Sequence, residues 1–239
     1  MKKRIIAKNT EHLKKLIEQE MALNGNQCDL NHIDTSKVTS MYELFNASEF
    51  NGNISKWNTS NVTNMEKIFQ LSIFNGDISN WDVSKVISMS HAFDCSLFNG
   101  DISKWNTSNV KYMDSMFYSA KNFNNDISKW DTSKVLDMCY MFNSSPFDGD
   151  ISKWNVSKVE DMKFMFYESN FTKDLTEWTP YNLKDGRYQT FDGSNCPSPY
   201  WSKCDNQTER KKAINAYLLE KELQEQLGLT GSSQKKIKL

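Results

Sequence analysis

One string, Phe50-Asn51-Gly52-Asn53-Ile54-Ser55-Lys56-Trp57, returns along the chain from Phe74, Phe98, Phe123 and Phe147, with a weaker copy from Phe171. The step is 24 residues except for 25 between Phe98 and Phe123, where the extra residue falls between Phe117 and Phe123. A period of this length constrains the fold more than any other feature. One unit cannot bury its own apolar face and has to stack on its neighbours, Ile on Ile, Trp on Trp and Phe on Phe. Six of the seven Trp and nine of the eleven Met occupy in-register positions, which marks them as core rather than a cofactor site. Burying each large apolar side chain stabilises by roughly 1.5–3 kcal/mol.

Each unit continues as Ser-x-Val-x-x-Met-x-x-apolar-Phe, for example Ser60, Val62, Met65, Ile68 and Phe69, and again Ser157, Val159, Met162, Met165 and Phe166. Apolar positions at i, i+3, i+6 and i+7 fall on one stripe of a helix. The preceding Ser stands where an N-cap belongs, and Ser157 with Glu160 spells a capping box. The spacing therefore predicts one short helix per repeat. The other half of each unit predicts a very short parallel strand around Asp-Ile-Ser, then a corner that turns Trp inward. At the third position of the string stand Gly52, Gly76, Gly100, Asn125 and Gly149, and Gly exchanging with Asn predicts a left-handed backbone.

The ends differ from the repeats. Residues 1–25 predict an N-terminal cap: a strand at Arg4–Ala7 and an amphipathic helix from Thr10 to Leu23 carrying Leu13, Leu16, Ile17 and Met21, stopped by Asn24-Gly25. Residues 26–190 are the repeat region, whose first copy has Ile33 in place of Trp. Residues 191–239 predict a C-terminal cap with a helix from about Gln207 to Leu227, followed from Thr230 by a polar, basic tail expected to be disordered.

The string Phe147-Asp148-Gly149-Asp150-Ile151-Ser152-Lys153-Trp154-Asn155-Val156-Ser157 resembles the BspA-like bacterial surface-protein repeat, a relative of the leucine-rich repeats, over about residues 26–190. The resemblance implies an α/β fold: a leucine-rich-repeat-like solenoid of short parallel strands and short helices, here with helical N- and C-terminal caps. It also implies a role in binding host or cell-surface partners, since such repeats occur in bacteria, mycoplasmas and mobile elements, commonly on secreted or lipid-anchored proteins.

Little in the composition points to chemistry. Lys and Arg total 29 against 30 Asp and Glu, so the chain offers no overall basic footprint for nucleic acid. The apolar run after Met1-Lys2-Lys3-Arg4 stops at Ala7, too short for a secretory signal, and no window predicts membrane insertion. Five scattered cysteines do not form a disulfide framework, and with no CxxC pair they predict no metal site. His12, His32 and His91 share no spacing, and no phosphate loop or nucleophile motif is present. The expectation is a cytoplasmic protein without catalytic residues or cofactor. Asp77, Asp101, Asp126 and Asp150 occupy one column; each is expected to accept a local backbone N–H, since a calcium site needs several oxygens per ion.

Function is sought where positions vary over an unchanged framework. Early copies carry Thr63, Asn64, Lys67, Ser88 and His91 outside the core stripe, whereas later copies carry Tyr112, Tyr118, Leu136, Tyr140, Phe164 and Tyr167. Large aromatics off the core stripe are enriched at binding surfaces, so these six predict the docking site of a protein partner. The alternative is that they pack beneath the C-terminal segment. The expected role is a non-enzymatic module that sequesters or scaffolds a protein inside the cell, of immunity, mobile-element or regulatory type. The alternative role is a cell-surface adhesin or structural repeat protein.

Overall fold

The computed structural model describes residues 3–184 and 189–228. The chain opens with strand β1 (Ile5–Ile6) and helix α1 (Thr10–Asn24), and strand β2 (Ile33–Asp34) pairs in parallel with β1. It closes with a 3₁₀ turn (Tyr200–Lys203) and helix α2 (Gln207–Gln226). Asn9 caps α1 by accepting the His12 N–H at 2.9 Å, and Gly25 ends it with φ of 77° and its N–H on Met21 O. Leu13, Leu16 and Ile17 on its inner face are buried over the first coil. The polar tail expected from Thr230 lies outside the described residues.

Between the two terminal helices each repeat is one coil of chain, joined to the next through backbone hydrogen bonds. Parallel bridges join Ser40 to Asn64, Asn64 to Ser88, Ser88 to Tyr112, Tyr112 to Asp137 and Asp137 to Asp161. From each bridge the chain continues the ladder. Met65, Lys67, Phe69 and Leu71 donate their N–H groups to Ser88, Ser90, Ala92 and Asp94 O at 2.8–3.0 Å. The pattern recurs from coil to coil, as in Met138, Tyr140, Phe142 and Ser144 onto Asp161, Lys163, Met165 and Tyr167 O.

Several expectations are corrected here. No helix forms after Val62, Val86, Val110, Val135 or Val159; that stretch is a run of turns. Ile68, Gln70 and Ser72 donate to Met65, Lys67 and Phe69 O, three residues back, at 3.2–3.3 Å. A helix would direct every interior N–H to its own coil, whereas the turn run leaves alternate N–H groups for the neighbouring coil. The turns demand left-handed residues, and non-glycine side chains fill those places: Glu43, Lys67, His91, Ser115, Tyr140 and Phe164 in one column, Ala47, Leu71, Cys95, Ser119, Ser144 and Glu168 in the next, all with φ of 47–56°. A positive φ at the third residue is the mark of a type II turn.

The Ser positions are not N-caps, and Ser157 with Glu160 is not a capping box. Each Ser N–H instead donates to the residue two before it, as in Ser60 to Asn58 Oδ1 (3.1 Å) and Ser84 to Asp82 Oδ1 (2.9 Å). The strand expected at Asp-Ile-Ser is found as a bridge only at Asn53, with Asp29; the later copies carry a turn there. Gly52, Gly76, Gly100 and Gly149 are not left-handed. A Cβ on Gly100 would lie 2.7 Å from the Phe98 ring two residues earlier, so glycine makes room for the ring. Where Asn125 replaces it, the Phe123 ring sits closer to Phe117 (3.9 Å) than Phe98 does to Phe93 (4.4 Å).

Each letter of the string now has a task. The second residue forms a side-chain ladder: Asn75 N–H donates to Asn51 Oδ1 and Asn99 N–H to Asn75 Oδ1, both at 2.8 Å. Asp77, Asp101, Asp126 and Asp150 accept the N–H of Ser79, Ser103, Ser128 and Ser152 at 2.9 Å, bonds that hold their carboxyls below the usual range. The indoles stack at 6.3–6.5 Å, as in Trp57 on Trp81 and Trp105 on Trp130. Each indole N–H donates to a carbonyl of the preceding coil, Trp81 to Ile54 O and Trp105 to Ile78 O at 3.2 Å. Both ring columns run past residue 190: Phe191 stacks on Phe166 at 5.6 Å, and Trp201 stacks on Trp178 at 6.4 Å while donating to Leu175 O.

Candidate functional site

The six variable residues lie on the turn run of the later coils. Tyr112 occupies a bridge position between Ser88 and Asp137 and is 41% exposed. Leu136 is half-buried and donates its N–H to Lys111 O at 2.8 Å. The other four rings touch in sequence. Tyr118 meets Tyr140 edge-on at 6.4 Å, Tyr140 stacks on Phe164 at 5.0 Å, and Phe164 meets Tyr167 edge-on at 5.6 Å. All four are half-buried, and they form a row across three successive coils, apart from the core columns. The structure brings these four together and leaves Tyr112 and Leu136 beside them without a ring contact in that row.

Tyr140 and Phe164 stand at the left-handed position of their turns, with φ of 56° and 54°. The turn directs them outward, while Met141 and Phe142 next in the chain enter the core. Helix α2 packs elsewhere. Arg210 donates to Leu183 O at 2.6 Å, Gln207 to Tyr181 O at 3.0 Å, and Tyr217 to Glu177 Oε1 while stacking on Tyr200.

In the early coils the same column is polar. Lys67 pairs with Glu43 at 3.3 Å. His91 binds Asp94 through Nδ1 at 2.8 Å and approaches Asp114 through Nε2 at 3.8 Å. The hydrogen bond that His91 donates to Asp94 raises the His91 pKa against its partial burial. Burial opposes the Asp94 carboxylate, but hydrogen bonds from His91, Cys95 and Gln70 outweigh it and hold the pKa low. Further along, burial pushes the Asp137 carboxyl up, helped by Asp114 and Asp161 on neighbouring coils.

Sequence reasoning missed this histidine cluster. Its members, Gln70, His91, Asp94 and Asp114, come from three coils, and no spacing rule short of the full stack unites them.

Two overlapping stretches, residues 11–117 and 88–197, match the family model described as Mycoplasma protein of unknown function, DUF285. That one model fits twice reflects the repeat. No curated protein and no solved structure matches the chain. Among the described residues, no helix is long and apolar enough to cross a membrane.

Proposed function

The chain belongs to the family of Mycoplasma proteins of unknown function, DUF285, and from that premise we propose that it is a non-enzymatic scaffold that binds a protein partner through its later coils. In this reading the coils form one continuous solenoid between two helical caps. The observation that carries it is the row Tyr118, Tyr140, Phe164 and Tyr167, four rings that touch in sequence outside the core columns on a framework that is otherwise repeated. Aromatic side chains lose little conformational entropy on binding, and clustered rings of this kind dominate interface energetics.

The proposed compartment is the cytoplasm, where a reducing environment keeps thiols such as Cys95, Cys139, Cys196 and Cys204 reduced. A second reading, a surface-exposed repeat protein, draws on the BspA-like resemblance. Protease treatment of intact cells separates the two, because only a surface protein is cleaved while cytosolic markers survive.

The test of partner binding is the double substitution Tyr140→Ala and Phe164→Ala. Alanine keeps the same left-handed strain, so the backbone cost is unchanged. Loss of a hot spot of about 2 kcal/mol weakens binding more than tenfold. The variant is expected to lose the partner captured by the wild type from host lysate while melting within a few degrees of it. Retained capture refutes the reading, and a collapsed melting transition assigns the rings to the core.

A further inference from the structure

Helix α2 is held to the rest of the chain along one stripe. Arg210 and Ile214 are buried, and Tyr217 and Lys221 both donate to the Glu177 carboxylate. Their spacing of i, i+4, i+7 and i+11 is one face of an α-helix. The same spacing begun two residues later, about 200° round the axis, gives Lys212, Ala216, Leu219 and Leu223. All four are exposed, Leu219 at 60% and Leu223 at 49%, and Leu227 just past the helix extends the stripe at 67%. A single exposed leucine is ordinary, but three at intervals of four residues form an apolar ridge with nothing on it.

Charge beside the ridge is divided along the helix. Lys211 and Lys212 lie in its N-terminal half, Glu222 and Glu225 in its C-terminal half. All four are exposed, and among the described residues none of them forms an ion pair. The helix dipole does not account for this order, because it favours cations near the C-terminus, where the last turn of α2 has none. A second helix of the same sequence running the other way does. With the crossing between residues 217 and 218, Lys211 falls level with Glu225 of the other copy and Lys212 with its Glu222. Leu219 then packs beside Ala216 of the other copy, and Leu223 along the aliphatic stem of Lys212. A parallel pair would instead set lysine on lysine and glutamate on glutamate. The stripe that carries Ile214 and Tyr217 faces away from the second helix, so the contacts with Glu177 are undisturbed.

We propose that α2 is a self-association face on which a second copy of this chain docks, the two helices antiparallel about a two-fold axis. A two-fold interface has to be complementary to itself, and the divided charge of α2 meets that condition. The paired stretch is about five turns long, at the small end of specific interfaces, so the dimer forms at high concentration and dissociates on dilution. The face is separate from the aromatic row. A dimer carries two such rows, and a partner that presents two sites gains avidity from it.

Sedimentation velocity of the full chain, from micromolar to near-millimolar concentration, tests the pairing. The sedimentation coefficient is expected to rise with concentration towards that of a dimer, and to rise less in about 0.5 M salt, where the charge pairs are screened. Leu219→Asp is expected to weaken dimerisation about tenfold with unchanged thermal melting of the dilute monomer, since the side chain is exposed. Lys211→Glu with Lys212→Glu, and separately Glu222→Lys with Glu225→Lys, are each expected to weaken it several-fold. An equimolar mixture of these two variants is expected to recover it, because opposite charges again meet across the pair. A chain that is monomeric at every concentration overturns the proposal, and dimerisation that then appears on deletion of residues 229–239 assigns the face to that basic tail. A dimer that Leu219→Asp leaves intact, or that salt strengthens, overturns it too, as does a mixture no tighter than either variant alone.

Discussion

Replacing Leu71 with glycine is expected to make the protein more stable, although it deletes a large side chain. Leu71 holds φ at 55° and is 57% exposed, so its side chain contributes little burial. A left-handed conformation costs an L-residue roughly 1–2 kcal/mol. Glycine removes that cost but adds about 0.5–1 kcal/mol of chain entropy to be lost on folding. The net gain is about 0–1.5 kcal/mol, centred on about 0.75. The N–H that donates to Asp94 O at 2.8 Å is untouched. Ser119, at φ of 47° two coils away, repeats the situation with its N–H on Asn143 O at 2.8 Å. The two changes share no contact, so their effects are expected to add. For a chain of this size each gain corresponds to a rise of roughly 1–4 °C in Tm. Thermal melting by circular dichroism, with Leu71→Ala as the variant that keeps the strain, reads it directly. If Leu71→Gly melts at or below the wild type, and Leu71→Ala does not differ from it, the turn run is not strained as described.

Three further outcomes follow from the same geometry. Gly100→Ala is expected to destabilise by about 1–3 kcal/mol, an overpacking cost, because the new Cβ meets the Phe98 ring at 2.7 Å; urea unfolding that is unchanged from wild type contradicts this. Protonated His91 favours the fold, so its contribution is complete below its unfolded pKa near 6.5 and is lost as pH rises through the higher folded value, while Asp94, with its pKa lowered, contributes above its ordinary value and loses that contribution on acidification. Tm measured from pH 5 to about 8 is therefore expected to fall more in wild type than in His91→Gln, and parallel curves refute the pairing. Deleting residues 1–24 uncovers the first coil beneath Leu13, Leu16 and Ile17 and removes β1 from β2, so sedimentation velocity is expected to show aggregation, whereas a monomer with unchanged melting counts against a capping role.

The amino-acid sequence by itself determined the period of the stack, the residues that stack within residues 26–190 and the two terminal helices, though not how far the ring columns continue, through Phe191 and Trp201. The reason is that burial depends on side-chain identity alone. A Trp or Phe that recurs every 24 residues has nowhere to go but onto its copy, and Trp57 on Trp81 or Phe74 on Phe98 shows it. The adjacency of Tyr140 and Phe164 was legible for the same reason.

Tertiary structure alone decided the backbone. An apolar spacing of i, i+3, i+6 and i+7 suits a helix, and it suits equally a run of turns in which Met65, Ile68 and Phe69 also point inward. What separates them is the destination of the N–H groups of Met65, Lys67, Phe69 and Leu71, which only the presence of the next coil, with four carbonyls 2.8–3.0 Å away, can settle. The same holds for the glycine of the string, whose need for room depends on where the Phe98 ring lies. It holds too for His91 with Asp114, and for the unpartnered nitrogens of Asn31 and His32, because charge and hydrogen bonding act through space between coils rather than along the chain.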